Sequence, residues 1–472
     1  MPTGIEGSLR SIFPVATVPG VGSQSRPVVA RDHCLAPGRS PGAPADGGKY
    51  GRLFDRLPGL VGDEQLLHAL GAAGGVCDSA GDCPDATVAA GWPFLGQFVA
   101  HDITADRSPL VSRADPTGVR NYRTPAANLE CLYGGGPIGS PYLYDRNDPA
   151  LLLTGAHAGD VPRNQQGVAL IGDPRNDVHL FVNQLQVALI HAHNLLVTRL
   201  REDDEPETSV FDEARRALTW HYQWVLLNDF LPTLVGEELA RRLLRDGPTL
   251  YEAGDTPQIP LEFADAAYRY GHSQIRDRYL VNQSSEPVPL FPDLIGFEAV
   301  PPERVVTWSL LFDTPHEPPA QRAKRIDGRL PESLIKLPLA ITGTVDEDAY
   351  HSLAGRDLQR GQATALPSGE AVARELGIEP LGRSQVGLAE HGWDAETPLW
   401  YYVLREADVQ QQGDRLGEVG GRIVGEVLVG IIDADPESYR SVNRAWRPTL
   451  PAAAPDRYTV TDLIRAPALA SN

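Results

Sequence analysis

The chain has 472 residues, 42% of them hydrophobic and 22% charged, proportions of a globular protein that exclude wholesale disorder. Its 46 glycines and 41 prolines describe a loop-rich chain, not a fibrous one. A formal net charge of −20 speaks against non-specific binding to nucleic acid or anionic lipid, because an acidic surface repels phosphate. No apolar run approaches the roughly 18 residues of a membrane span. The first twenty residues lack the continuous apolar stretch of a secretory signal, so the expectation is a cytoplasmic protein, with non-classical secretion the other route open to it. Cysteines at 34, 77, 83 and 131 are too few for a disulfide framework. Cys77 and Cys83 share a Gly/Asp/Ser stretch and read as a loop disulfide, a regulatory thiol pair or, most simply, two plain thiols.

Residues 1–47 hold seven prolines and seven glycines without periodicity and read as an N-terminal arm; 48–472 read as one catalytic domain. Residues 93–101 predict a short helix. Residues 180–200 place Leu185, Leu189, Ala192, Leu196 and Leu200 on one stripe of a longer helix. Residues 211–236 begin with acids and predict a helix that stops at Leu231-Pro232. Residues 261–272 are helix-compatible, and 419–431 suit a buried helix or a strand. The stretches 133–142, 284–293 and 313–320 read as loops. The sum is a mainly α chain with long connections, without a βαβ pattern, a phosphate-binding loop or an H-E-x-x-H zinc motif.

Four segments carry chemistry. In Gly96-Gln97-Phe98-Val99-Ala100-His101-Asp102, a helix puts Gln97 and His101 on one face. Alone, that His reads as a structural, hydrogen-bonded residue. Gly172-Asp173-Pro174-Arg175-Asn176 is a turn in which Asp caps and Arg is solvated in the plain reading. In Tyr268-Arg269-Tyr270-Gly271-His272, a glycine before the His lets a flat partner or a packed helix come close. Arg356-Asp357-Leu358-Gln359-Arg360-Gly361 reads as an exposed charged turn. His191 and His193 fall on different sides of a helix and suit packing, not joint metal ligation. His179, His221 and His351 have no partner in the sequence, and Trp220, Trp224 and Trp400 read as core.

Taken together, in their order and spacing, these segments resemble the animal-type haem peroxidases (the peroxidase–cyclooxygenase superfamily), bacterial members in particular. The resemblance runs from about Tyr50 to Leu463. It rests on W-P-F-L-G-Q-F-V-A-H-D at 92–102, L-Y-G-G-G-P at 132–137, G-D-P-R-N at 172–176 and H-N at 193–194. It continues with A-A-Y-R-Y-G-H-S at 266–273, R-D-L-Q-R-G at 356–361, L-G-E-V-G-G-R-I-V at 416–424 and W-R-P at 446–448. It implies a mainly α, single large haem-peroxidase-like helical domain with long loops and little β. It also implies an enzyme that reduces hydrogen peroxide, oxidises a small organic or halide-like donor, and answers oxidative stress.

Residue by residue, the resemblance implies that His101 is the distal histidine, moving a proton between the peroxide oxygens. Arg175 is the distal arginine, stabilising charge on the departing oxygen. Gln97 orients distal water or an anion. His272 is the proximal iron ligand. Asp357 stands where the family usually has Asn, bonding the other ring nitrogen of His272, which makes the imidazole more electron-donating and disfavours chloride oxidation. Arg360 and Arg269 are placed near the haem edge and its propionates. The acids that form ester links in mammalian members are replaced by Ala100 and Val178, which implies non-covalent haem b or linkage through another acid. A calcium site is implied beside the distal helix: Asp102 with Thr124, Ala126 (through its carbonyl), Asn128 and Glu130, the Asn and Glu replacing a more usual Asp pair. The plain alternative there is a capping Asp and a surface turn. Two other functions share the fold. A haem-dependent fatty-acid dioxygenase needs a radical Tyr three residues before the proximal His; Arg269 stands there, between Tyr268 and Tyr270. A non-catalytic binding protein has no need of His101, Arg175 and His272 together.

Overall fold

The stripe predicted over 180–200 forms the central helix, Leu180–Glu202, with 15 of its 23 residues buried. In the computed structural model the described residues are 48–105, 119–254, 256–283, 286–342, 351–454 and 457–470. The arm expected over 1–47, with Cys34, lies outside them; what is described belongs to one compact unit, 40–472. Contrary to expectation, the central helix is long and apolar enough, by length and composition, to cross a membrane. Its burial among other elements marks it as the core helix instead. Its buried polar groups are also satisfied inside the protein. Gln184 Nε2 donates to the Gly159 carbonyl at 2.6 Å, and His193 lies 2.9 Å from both the Tyr133 hydroxyl and the Ala150 carbonyl.

Residues 92–103 form a helix that begins with Trp92-Pro93, a proline where the helix lacks acceptors for its first N–H groups. Phe94 fastens it to the central helix, its ring 4.6 Å from that of Phe181 and 5.4 Å from that of Tyr279. Each such buried ring contributes about 1.5–3 kcal/mol.

The stop expected at Pro232 does not occur. Val210–Val225 runs into a π-turn, Leu226–Phe230, and on through Leu231–Val235 to Gly236, whose φ of 85° ends it. A proline breaks a helix because it lacks an N–H and crowds the carbonyl four residues back. The wider turn just before Pro232 removes both objections. The helix suggested over 261–272 is split into Leu261–Ala264 and a 3-10 segment, Ala267–Gln274. Arg269 Nε takes the Ala264 carbonyl at 2.9 Å, the acceptor a continuing helix would have used. Residues 418–434 are helical throughout. The 133–142 stretch contains two short turns of helix, Gly136–Gly139 and Pro141–Leu143. Among the described residues, strands are confined to three antiparallel pairs, so the chain is mainly α with little β, as expected. Cys77, Cys83 and Cys131 are free thiols.

Among the helices that the sequence did not announce, Glu64–Gly71 and Leu353–Ala363 pack on each other; the second takes in residues 356–361, expected to be an exposed charged turn. Gly71 is the closest point: a Cβ there would lie 2.5 Å from the backbone of Gly355. Gly71→Ala therefore forces two backbones apart. We expect a loss of about 1–3 kcal/mol, read as a lower midpoint in urea with an unchanged slope.

Candidate active site

A cavity of about 350 Å3 opens between the Trp92–Ile103 helix and the 3-10 segment Ala267–Gln274. One wall carries Gln97, Ala100 and His101, with Arg175 and His179 beside them; the other carries Arg269, Gly271 and His272. Phe263, Ile275, Leu290, Phe291, Leu334 and Leu337 make much of the remaining lining apolar. His101 and His272, predicted from segments far apart in sequence, thus line one chamber.

His101 is buried, and its Nδ1 is 2.7 Å from Asn176 Oδ1. Asn176 donates its Nδ2 to Gln186 Oε1 at 2.8 Å, which turns its Oδ1 toward the imidazole. His101 Nδ1 is therefore the protonated nitrogen and Nε2 the basic one. Burial first, then the Arg175 charge, pushes the His101 pKa down to about 3, so the ring is neutral at ordinary pH.

Arg175 lies on the turn Pro174–Asp177, which is pinned at both ends. Asp173 caps it, accepting from the Arg175 N–H at 2.9 Å. Asp177 at the far end accepts from Arg163 at 2.7 and 2.8 Å and from Asn183 at 2.8 Å. The Arg175 guanidinium meets Asp173 at 2.7 and 3.0 Å and the Thr104 carbonyl at 2.6 Å. Those contacts aim it across the end of the His101 helix, with 37% of its side chain exposed along the cavity. Burial alone would raise the Asp173 pKa, but the hydrogen bond and charge of Arg175, with Arg123 behind, hold its carboxyl well below the usual range.

On the opposite wall, His272 Nδ1 is 2.6 Å from Asp357 Oδ2, which leaves Nε2 as the ring nitrogen available to a metal. Asp357 sits on Leu353–Ala363 and is almost fully buried. Burial opposes its ionisation, yet the charge and hydrogen bond of His272, joined by Arg269 at 3.4 Å, lower its pKa. Arg269 lines the cavity. Arg360 does not: its guanidinium is drawn to the buried Asp265 carboxylate at 3.4 Å, and Arg356, one turn earlier, lines the cavity instead.

Three residues escaped the sequence reading. His179, taken there as partnerless, lines the cavity with its Nε2 2.7 Å from Gln97 Oε1. Asn176 was quoted only as part of a motif. Arg123 was not singled out at all. Each acts through a partner distant in sequence; only the adjacency of Asn176 to Arg175 offered a signal. Ala100 and Val178 both line the cavity, and no Asp or Glu does among the described residues.

The residues of the expected calcium site meet, but as a hydrogen-bonded knot. Asp102 accepts from the Leu129 and Cys131 N–H groups at 3.0 and 3.2 Å, and burial pushes its pKa up to about 6. Asn128 Oδ1 accepts from the Glu130 N–H at 3.1 Å, and the Thr124 carbonyl accepts from Ala126 at 2.8 Å. Glu130 accepts from Thr124 N–H at 3.0 Å and pairs with Arg123 at 3.0 Å. Calcium takes about six to eight oxygen ligands, whereas a guanidinium lies against Glu130, one of the two carboxylates among the five expected ligands. Among the described residues, no group of three or more His, Cys, Asp or Glu converges as a metal site. The donor set does not fit calcium.

A chamber between two helical walls, with one neutral imidazole facing another held by a carboxylate, defines a candidate haem-type redox site. The family model for animal haem peroxidase matches residues 135–380, more than half of the sequence, and the chain belongs to that family. Chorion peroxidase of Aedes aegypti is 25% identical over 312 residues, covering 62% of this chain and 37% of that protein. Chorion peroxidase of Drosophila melanogaster is 31% identical over 119 residues, 24% of this chain and 15% of that one. The chain thus spans well under two thirds of these curated relatives. Peroxidase A of Dictyostelium discoideum shares the fold with a TM-score of 0.64 at 16% identity, over 90% of this chain and 92% of that one. The fatty acid alpha-dioxygenase of Arabidopsis thaliana does so with a TM-score of 0.59 at 15% identity, over 83% and 72%.

Proposed function

We propose that the protein is a haem peroxidase that reduces hydrogen peroxide and oxidises a small organic donor. The observation that carries this reading is the pair of imidazoles on one cavity, prepared oppositely: His101 neutral with a free basic nitrogen, His272 polarised by Asp357. The chamber suits haem b. Its apolar lining accepts a flat hydrophobic ring, and Arg356 adds positive charge to that lining. His272 Nε2 is the nitrogen that would hold the iron. With Ala100 and Val178 at the two positions that carry ester-forming acids in mammalian members of the family, the reading is of non-covalent attachment. When bound, haem supplies the redox-active iron at which peroxide is cleaved and a donor oxidised.

His101 Nε2 accepts the proton from peroxide and returns it to the departing oxygen; Asn176 keeps the ring in the tautomer that does so. Arg175, fixed by Asp173, presents positive charge where that oxygen becomes negative. His179 holds the Gln97 amide by its oxygen. The dioxygenase reading lacks its tyrosine, because Arg269 occupies the position and is committed to carboxylates.

The test is direct. Full-length protein supplied with haemin should show a Soret band that shifts on adding peroxide and returns as a phenolic donor is consumed. No haem uptake, or oxygen consumption with a fatty acid and no donor oxidation, rejects the reading. On the proximal side, Asp357→Asn keeps an acceptor for His272 but removes the charge. The iron should then become easier to reduce, with the midpoint potential in a redox titration rising by tens of millivolts.

A further inference from the structure

The knot beside the distal helix gathers three buried carboxylates, Asp102, Glu130 and Asp173, each less than one-tenth exposed. A buried cluster of one sign is costly unless something cationic compensates it. Arg123, itself 8% exposed, stands among them. Its Nη1 donates to Glu130 at 3.0 Å, and its Nη2 donates to Asp173 at 2.6 Å and to the Gly172 carbonyl at 3.0 Å. Its Nε reaches Asp173 at 3.3 Å, and its charge also bears on Asp102. The planar fork allows one residue to bridge two carboxylates and a carbonyl, which a lysine ammonium cannot match in geometry.

We propose that the Arg123 guanidinium is a built-in cation that does here what a bound calcium ion would otherwise do, and that it positions Arg175 through Asp173. The second half follows from connectivity. Asp173 Oδ2 accepts from both Arg123 Nη2 and Arg175 Nη2, at 2.6 and 2.7 Å, while its Oδ1 accepts from Arg175 Nε at 3.0 Å; the same Arg175 Nη2 reaches the His101 and Thr104 carbonyls at 3.1 and 2.6 Å. A chain of alternating charge thus runs from Glu130 to the end of the helix that carries His101. With Arg123 bridging Glu130 and Asp173, the loop 123–130 and the turn 173–177 are tied together through its side chain. Arg123 touches nothing in the cavity and is a positioning residue.

The first arm of the test uses the purified full-length chain and does not depend on the peroxidase reading. Elemental analysis should find no stoichiometric calcium. The melting temperature should be the same in EDTA as in millimolar calcium, since a metal bound only to the native state would raise it with concentration. One calcium per chain, or a melting temperature that falls in EDTA, overturns the proposal even if no variant can be made. The second arm uses R123M and R123K. R123M should melt lower, and R123K, which restores the charge, should recover part of that loss; no recovery removes the counter-charge argument. In haem-loaded protein, R123M should slow the peroxide step at least about tenfold with the donor KM unchanged, because Asp173, the anchor of Arg175, has lost the guanidinium that holds it from behind. An unchanged peroxide rate in a folded R123M sinks the positioning claim while leaving the peroxidase reading intact.

Discussion

His272→Ala should fold and bind no haem: the purified variant supplied with haemin should show no Soret band, where the parent protein takes up one equivalent. The expectation rests on geometry specific to this wall. His272 Nδ1 is spent on Asp357 at 2.6 Å, so Nε2 is the only nitrogen it has to offer. Among the described lining residues the other imidazoles are His101 and His179, both on the opposite side and both already bonded, to Asn176 and Gln97. The loss should not be a folding artefact, because His272 keeps 28% of its side chain exposed and is not a core group. Circular dichroism matching the parent, with added imidazole restoring a haem spectrum, would establish that only the ligand is missing. Full haem uptake by the variant refutes the assignment of the proximal wall.

His101→Gln should give the opposite pattern: haem bound normally, and the reaction with peroxide slowed by about 10²–10⁴-fold, the usual worth of a positioned acid–base group. Stopped-flow mixing of the loaded protein with peroxide reads this directly. The pH dependence sharpens it. The His101 pKa is depressed to about 3, so the competent neutral ring is present from neutral pH down to that value. The peroxide rate should therefore stay flat through pH 6.5, where an ordinary histidine would already be half protonated, and fall only as the pH drops towards the depressed value. The acid limb should vanish in the Gln variant. A parent profile with its midpoint near 6.5 contradicts the buried, tautomer-locked ring described above.

The residues that carry chemistry were not legible one by one: a histidine at helical spacing from a glutamine, an arginine on a Gly-Asp-Pro turn and a histidine after glycine each had a plain structural reading. Their order along the chain then pointed to one family and one fold. What the sequence concealed was how those residues are held. Asn176 next to Arg175 looks like any turn residue until Gln186 is found orienting it. His179 lacks a local partner because its partner, Gln97, is on another helix. Arg356 and Arg360 are indistinguishable one turn apart until Asp265 claims the second. The expected stop at Pro232 failed for a related reason, since the preceding π-turn depends on packing and not on local propensity. The calcium expectation matched residues by position, but Arg123, outside that pattern, changes what those oxygens do.

The tight crossing of Gly71 on Gly355 has a bearing on how the chain can be shortened. Asp357 lies two residues beyond that crossing. Arg52, from the same early stretch, donates to the carbonyls of Thr364 and Ala365 at the other end of the same helix. The early segment is thus a splint along the back of the proximal wall. A trimmed version starting at Trp92 would retain every described side chain that lines the chamber and still let the carboxylate behind His272 drift. Its damage would register as altered ligand-field spectra of the loaded iron before any loss of the peroxide-facing residues.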